Sequence, residues 1–411
     1  MGGRRLVLAY SGGLDTMIIL HWLAARGYEV IAYTADLGQQ EDFERLRAQA
    51  LAAGASRVVV DDVRDELVRD FLFPVLRANA IYQDRYLLGT PIARPLTARR
   101  QVEVALELDA THLAHGATGK GNDQLRFELV YRAHGPQLEV VAPWRDPQFL
   151  GRFGGRPAAL AYAAEHGLPV ASTAAASWSI DENLVHTSYE GGDLERLDTR
   201  AQERMFLRTC APLEAPDEET LLELTFRNGD LVHARNVSEG IEADTPRTAF
   251  ALVDRAAAAN AIGRVDYVES RAVGLKSRNV YEAPGATVLH LAHRDLEHLT
   301  MDHEVMRLRD SLIPEFATLV YRGLWYAPEL QVLRALVDAA QRHVTGVVRV
   351  ALYKGNVVVV GRSSDHGLYD PGRSSMDAIG AYEPGDADGY IQLSALRLAA
   401  HSERERRNLE P

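Results

Sequence analysis

Two glycine-rich stretches carry the residue types best suited to chemistry. In Ser11-Gly12-Gly13-Leu14-Asp15-Thr16, two glycines and two hydroxyls stand between an apolar run and a stretch with helical spacing. Glycines let a backbone approach an anion closely, and a helix N-terminus offers free N–H groups at the positive end of its dipole. The stretch therefore reads as a phosphate loop. A plain turn capped by Ser11 or Asp15 is the competing reading, but turns seldom need two adjacent glycines flanked by hydroxyls. The Gly-Lys-Ser/Thr ending of a Walker A loop is missing, which excludes that kind of NTPase.

The second stretch is His115-Gly116-Ala117-Thr118-Gly119-Lys120-Gly121-Asn122-Asp123-Gln124, followed by Arg126 and Glu128. Three glycines, a lysine and a hydroxyl suit a phosphate or a carboxylate. Asn122, Asp123 and Arg126 open a helix and can orient polar ligands. Here the competing reading is a glycine-rich turn with Asn122 as N-cap.

Elements of alternating type must hold these loops. Strands are read at Leu6–Tyr10, Tyr28–Ala32, Arg57–Val60, Thr111–Ala114 and Glu139–Ala142. Helices are read at Met17–Ala25, Asp42–Ala53, Glu66–Leu76 and Pro95–Leu108. Continuous apolar strands separated by helices imply an α/β fold with a parallel, doubly wound sheet, and ligands on such sheets bind beyond the carboxyl ends of the strands. Both glycine loops follow strands on that edge.

Beyond Gly151-Arg152 the pattern becomes α+β. Residues 167–180 read as strand and loop, and short alternating strands begin near Leu221. A long helix is read over His298–Tyr321, interrupted at Pro314, and another over Glu329–His343. A turn-rich segment, Ser363–Gly389, leads into a charged amphipathic helix at Leu393–Arg407. The expected division is residues 1–166, 167–362 and 363–411, with the last helix packing on a neighbouring subunit.

Composition removes other classes. The chain has 411 residues, with 45 basic and 57 acidic side chains for a net charge of −12, which argues against a general nucleic-acid or anionic-membrane binder. One cysteine, Cys210, excludes an intramolecular disulfide and a multi-cysteine zinc site. No uncharged apolar run approaches the roughly 18 residues of a membrane span. Arg4-Arg5 leads straight into a strand rather than a signal core, so a cytoplasmic location is expected.

The S-G-G-x-D-[ST] pattern resembles the pyrophosphate loop of the ATP pyrophosphatases. Further segments make the resemblance specific: AYSGGLDT (9–16), DRYLLGTPIARP (84–95), HGATGKGNDQLRFE (115–128), APWR (142–145), WSIDENLVHTSYEGG (178–192), GRVDYVESRAVGLKSRNVYEAPG (263–285) and LYKGNV (352–357). Through them the chain is identified as a member of the argininosuccinate synthetase family. That resemblance implies a two-step ligation in which the ureido oxygen of citrulline attacks the α-phosphate of Mg²⁺·ATP. Pyrophosphate leaves, and the amine of aspartate then displaces AMP from the citrullyl-adenylate. It also implies a homotetramer.

Carried over residue by residue, the resemblance places ATP against Ala9, Tyr10, Ser11, Gly12, Gly13, Leu14, Asp15, Thr16, Ala35 and Gly116. Aspartate falls to Thr118, Asn122 and Asp123, and citrulline to Tyr86, Asn122, Arg126, Ser179, Ser188, Glu269 and Tyr281. Asp15, Thr16, Asp123 and Arg126 stand as the catalytic candidates, and no protein metal site is assigned. Arg126 suits a carboxylate, Glu269 and Asp123 suit ammonium groups, and tyrosine and serine hydroxyls can read a ureido group.

Other residues are read more blandly. His115, at a strand end, reads as packed rather than as a general base. Lys276-Ser277-Arg278 reads as a basic loop near phosphates or as a solvated turn. Asp181-Glu182-Asn183 reads as structural hydrogen bonding, Cys210 as inert, and residues 403–407 as an exposed helix face. Three departures from the family pattern stand out: Met17 and Pro91 at serine positions, and the segment 193–208. Met17 is expected to weaken ATP affinity rather than abolish activity. Met17 and the 193–208 segment define the alternative of a diverged paralogue joining aspartate or another amine to a different ureido or acyl compound. A catalytically dead scaffold is the reading from another class, and retention of both loops with Asp123, Arg126 and Glu269 speaks against it.

Overall fold

Strand β1 (Arg4–Ala9) alternates its side chains between two covered faces, and this sets the architecture of the first half of the chain. Leu6 and Leu8 pack with Met17, Ile19 and Leu20, while Val7 joins Ile31, Tyr33, Leu96 and Val102 on the other side. A strand buried on both faces needs a continuous apolar run, which is what residues 6–10 provide. The computed structural model describes residues 4–119, 121–169, 178–377 and 383–409. Strands β2 (Tyr28–Asp36), β3 (Arg57–Asp62), β4 (His112–Ala114) and β5 (Glu139–Val141) complete a parallel sheet in the order β3-β2-β1-β4-β5. The order reverses between β1 and β4, so the loops after these two strands flank the switch-point crevice. The α/β fold with a doubly wound sheet is as expected.

Among the described residues nine further strands follow: β6 (Ser179–Glu182), β7 (Thr187–Glu190), β8 (Thr220–Arg227), β9 (Asp230–Asn236), β10 (Ile241–Ala243), β11 (Arg264–Ser270), β12 (Lys276–Glu282), β13 (Gly346–Tyr353) and β14 (Asn356–Ser363). They form two antiparallel sheets, β11-β12-β7-β6 and β10-β9-β8-β13-β14. Residues 170–177, within the stretch read as strand and loop, lie outside the described residues, as does Lys120.

One apolar cluster runs from Val7 through Phe250 to Leu352, so the parallel sheet and the β8–β14 sheet share an interior. Phe71 stacks on Trp325 with ring centres 4.7 Å apart. A buried polar knot lies beside them. Arg309 makes a two-pronged pair with Glu297 at 2.6 and 2.7 Å, and Asn79 and Gln341 donate to the same carboxylate. Arg309 and Gln341 also donate to the carbonyl of Arg77. Burial would raise the pKa of Glu297, but His293 and Arg309 outweigh it and hold the carboxyl down at about 2.

Three expected elements differ. The helix read over 298–321 is three helices, Pro284–Thr300, His303–Asp310 and Ile313–Tyr321. Asp302 ends the continuity, because its carboxylate caps the N–H groups of Glu304 and Val305. The helix read from Pro95 begins at Gly89, after Leu88 in a left-handed conformation, and carries Pro95 inside it. Lys276-Ser277-Arg278 is neither loop nor turn: it opens β12 and pairs with Ser270-Glu269-Val268 of β11.

The chain separates into two compact units, residues 1–366 and 367–411. The second contains the helix Asp386–Leu409, which starts seven residues before the expected Leu393. Asp386 and Asp388 in its first turn, with Arg406 and Arg407 in its last, complement the helix dipole. Residues 403–407 are exposed on it. Among the described residues no helix is long and apolar enough to cross a membrane.

Candidate functional site

The turn after β1 is tied by hydroxyls. Thr16 Oγ1 lies 3.2 Å from Ser11 Oγ, accepts from the Ser11 N–H at 3.4 Å and donates to the Gly13 carbonyl at 3.2 Å. Gly12 takes φ of +74°, a conformation that costs a residue with a Cβ. The helix Leu14–Ala25 begins at Gly13 with no side-chain cap, so neither Ser11 nor Asp15 plays the part required by the plain-turn reading. Its leading N–H groups have no intrahelical partner. Met17 is fully buried in the cluster behind the turn, and its N–H bonds to the Gly13 carbonyl at 3.0 Å.

The loop after β4 meets this turn. A Cβ on Gly116 would stand 2.9 Å from Thr16 Cγ2, so only glycine allows the approach. His115 is buried with both ring nitrogens engaged: Nδ1 accepts from the Ala117 N–H at 3.2 Å, which leaves Nε2–H for Glu128 at 3.1 Å. It is packed and satisfied, as its strand-end position suggested. Gln124 donates to the carbonyls of Gly119 and Gly121, clamping the loop to the helix Asp123–His134. Asn122 sits before that helix without capping it.

Between the loops lies a cavity of about 410 Å³, lined by Tyr10, Thr16, Ala35, Gly116, Arg94 and Asp123 among others. That is the size range of small-molecule sites. The Tyr10 hydroxyl is buried there with no hydrogen-bond partner among the described residues, and burial, then Glu41, pushes its pKa up to about 12. Arg94 donates to Asp123 at 2.8 Å and to Asp181 at 2.7 Å, and Arg126 donates to Asp123 at 2.9 Å. Burial would raise the pKa of Asp123, but the two guanidinium groups hold it at about 2, so the carboxylate stays ionised.

Next to Asp123 stands a tyrosine cage around Glu269. Tyr281 and Tyr267 donate to one carboxylate oxygen at 2.7 and 3.1 Å, and Tyr321 donates to the other at 2.7 Å. Tyr86 stacks on Tyr281 with centroids 4.1 Å apart and accepts from the Thr90 N–H through its own hydroxyl. Asn122 donates to the Tyr321 hydroxyl, and Arg126 sends two N–H groups to the Tyr321 carbonyl.

The structure thus brings Tyr86, Asn122, Asp123, Arg126, Glu269 and Tyr281 into one contact network. Ser188 lies opposite Tyr281 on β7 and donates to the Asp181 carbonyl at 3.3 Å. Ser179 is exposed on β6 and lines a different cavity of about 540 Å³ with Lys276 and Arg278. Thr118 is exposed in the second loop and Asp15 on the first helical turn. Arg94, Tyr267 and Tyr321 belong to the network and were not singled out from sequence, and Asp181, read from sequence as structural hydrogen bonding, joins them through Arg94. Arg94 had a signal, since it lies in the quoted 84–95 segment; Tyr321 had none.

Comparison with known proteins meets this geometry. The family model described as Arginosuccinate synthase N-terminal HUP domain matches residues 5–169, and that described as Arginosuccinate synthase C-terminal domain matches residues 178–401. The chain belongs to the argininosuccinate synthase family. The argininosuccinate synthase of Thermotoga petrophila is 51% identical over 397 residues, covering 97% of each chain. That of Danio rerio is 47% identical, covering 97% of this chain and 96% of its own. That of Rattus norvegicus is 46% identical, covering 96% and 95%. Membership makes the chain a ligase, and the diverged-paralogue alternative gains no support from these matches.

Proposed function

We propose that the cleft between the two glycine loops and the Glu269 cage ligates citrulline and aspartate to argininosuccinate at the expense of ATP, in arginine biosynthesis. The observation that carries this reading is the continuity of parts: the anion-ready turn at residues 11–16 opens into the same cavity as Asp123, and Asp123 is bonded to Arg126 beside the Glu269 cage. ATP enters with Mg²⁺, its polyphosphate on the uncapped helix N-terminus and the Ser11 and Thr16 hydroxyls, with Tyr10, Ala35 and Gly116 around the rest. Aligned N–H dipoles suit an anion there, and they need no reorganisation when charge builds on the leaving pyrophosphate.

Citrulline sits with its ammonium on Glu269, among Tyr86, Tyr281, Asn122, Arg126, Ser188 and Ser179. Its ureido oxygen forms a bond to the α-phosphorus as the bond to the β-phosphate oxygen breaks. Aspartate, held by Thr118, Asn122 and ionised Asp123, then forms its N–C bond as the C–O bond to AMP breaks. Holding the three reactants in line supplies the larger share of the acceleration. The same reading places the enzyme in the cytoplasm as a homotetramer.

The test is pyrophosphate release from Mg²⁺·ATP with each amino acid present or omitted. Burst release with citrulline alone, turning into steady formation of AMP and argininosuccinate on adding aspartate, is the expected result. ATP binding with no release in the presence of citrulline would overturn the assignment.

A further inference from the structure

Tyr321 bonds to Glu269 and also touches both Asn122 and Arg126. It ends the helix Ile313–Tyr321, far in sequence from either glycine loop, and is almost wholly buried. Its ring stacks on Tyr82 with centroids 3.7 Å apart at 6°, so the hydroxyl cannot swing freely. The polarity of its bonds is fixed. The Ala272 N–H donates to Asn122 Oδ1 at 2.9 Å, which turns Asn122 Nδ2 toward the Tyr321 hydroxyl, also at 2.9 Å. Having accepted from Asn122, that hydroxyl gives its proton to Glu269 Oε1 at 2.7 Å.

The backbone of the same residue does the rest. Arg126 Nε and Nη2 both donate to the Tyr321 carbonyl, at 3.0 and 2.9 Å, which aims the remaining Nη1 at Asp123. Two residues on, Gly323 at φ +82° lets the chain turn over Arg126. A Cβ there would lie 2.7 Å from Arg126 Cα. One tyrosine thus fixes a carboxylate on β11 together with an amide and a guanidinium at the start of the helix Asp123–His134.

We propose that Tyr321 is a positioning residue that couples the citrulline and aspartate sites, a proposal that rests on the functional reading above. Its hydroxyl sets Glu269 for citrulline and Asn122 for both amino acids, and Tyr321 does not line the cavity beside the Ser11–Thr16 turn. Tyr267 offers the contrast. It shares Glu269 Oε2 with Tyr281, so its loss leaves that oxygen with a donor and leaves Asn122 untouched.

Tyr321→Phe removes the hydroxyl and keeps both the ring stack and the carbonyl. A hydrogen bond to a charged group is worth enough to predict about a tenfold rise in the KM for citrulline. The KM for aspartate should rise about threefold or more, while the KM for ATP and kcat stay within about threefold of the parent. Tyr82→Phe, which loses only a bond to the Ser270 carbonyl, should change none of these constants. Asn122→Asp keeps the side-chain size but turns the donor to Tyr321 into an acceptor. It should raise both amino-acid KM values, and it replaces Tyr321→Phe if that variant does not fold. Unchanged amino-acid KM values, or a fall in kcat with all three KM values rising together, would overturn the proposal. The parent enzyme assayed alongside separates the two readings: an inactive parent removes the functional assignment and this proposal with it, and an active parent with unaffected variants removes the proposal alone.

Discussion

The hydroxyls of Ser11 and Thr16 lie 3.2 Å apart, so the two ends of the Gly12-Gly13 turn are held side chain to side chain. Thr16→Val keeps the shape and removes three bonds. At about 1 kcal/mol for each hydrogen bond that matters to the bound state, kcat/KM for ATP should fall about tenfold or more. The thermal midpoint should stay within a few degrees of the parent. Steady-state pyrophosphate release and a thermal melt check the pair of expectations.

Gly116→Ala should act on the same place by crowding rather than by loss. The new methyl would stand 2.9 Å from Thr16 Cγ2 and push the two loops apart. Overpacking of this kind costs about 1–3 kcal/mol. The KM for ATP should rise about tenfold while the KM for citrulline holds.

Much of this was legible in the residues. The run Leu6–Tyr10 followed by Gly12-Gly13 announces strand, turn and helix because continuous apolarity and paired glycines have few other uses. Pro91 and Pro95 hid the true start of the helix Gly89–Glu107, since a proline reads as a breaker although the N–H it lacks is one bond among many. Tyr321 was not legible as a site residue, and Arg94 was so only as part of the quoted 84–95 segment. Their partners lie 29 to 199 positions away, and only tertiary packing, chiefly of helix on helix, brings them together. Lys276–Arg278 misread for a similar reason, because its strand character comes from pairing with β11 rather than from its own polar composition.

Acid should expose what Arg94 does. Asp123 has a folded pKa of about 2 against an ordinary 3.8, so its ionised form contributes stability that is present above the ordinary value and lost as pH falls through about 2. Removing Arg94 takes away one of the two opposing charges, and the folded value rises. Arg94→Gln should therefore show an acid limb in kcat displaced upward by about one pH unit or more relative to the parent. Rate profiles carried from about pH 7 down to about pH 2.5, at roughly constant ionic strength, make the comparison.

Arg309→Met should destabilise the protein by about 3–5 kcal/mol, because it leaves the Glu297 carboxylate buried without its two-pronged partner. Glu297→Gln with Arg309→Met should recover part of that loss, since the uncompensated charge goes with it. Chemical denaturation of the two variants and the parent gives the three values.

The interior shared by Val7 and Leu352 bears on how this protein can be divided. The two family models meet near residue 170, and a cut there looks natural in one dimension. In three dimensions it would strip Phe71 of Trp325 and Asn79 of Glu297, and it would open to water the apolar sides of the helical segments 67–77 and Gly89–Glu107 that later strands and helices pack against. The nucleotide half is therefore not a portable cassette. It cannot be lent to another ligase by joining genes at that seam, and sequence change on either side of the seam is constrained by residues on the other.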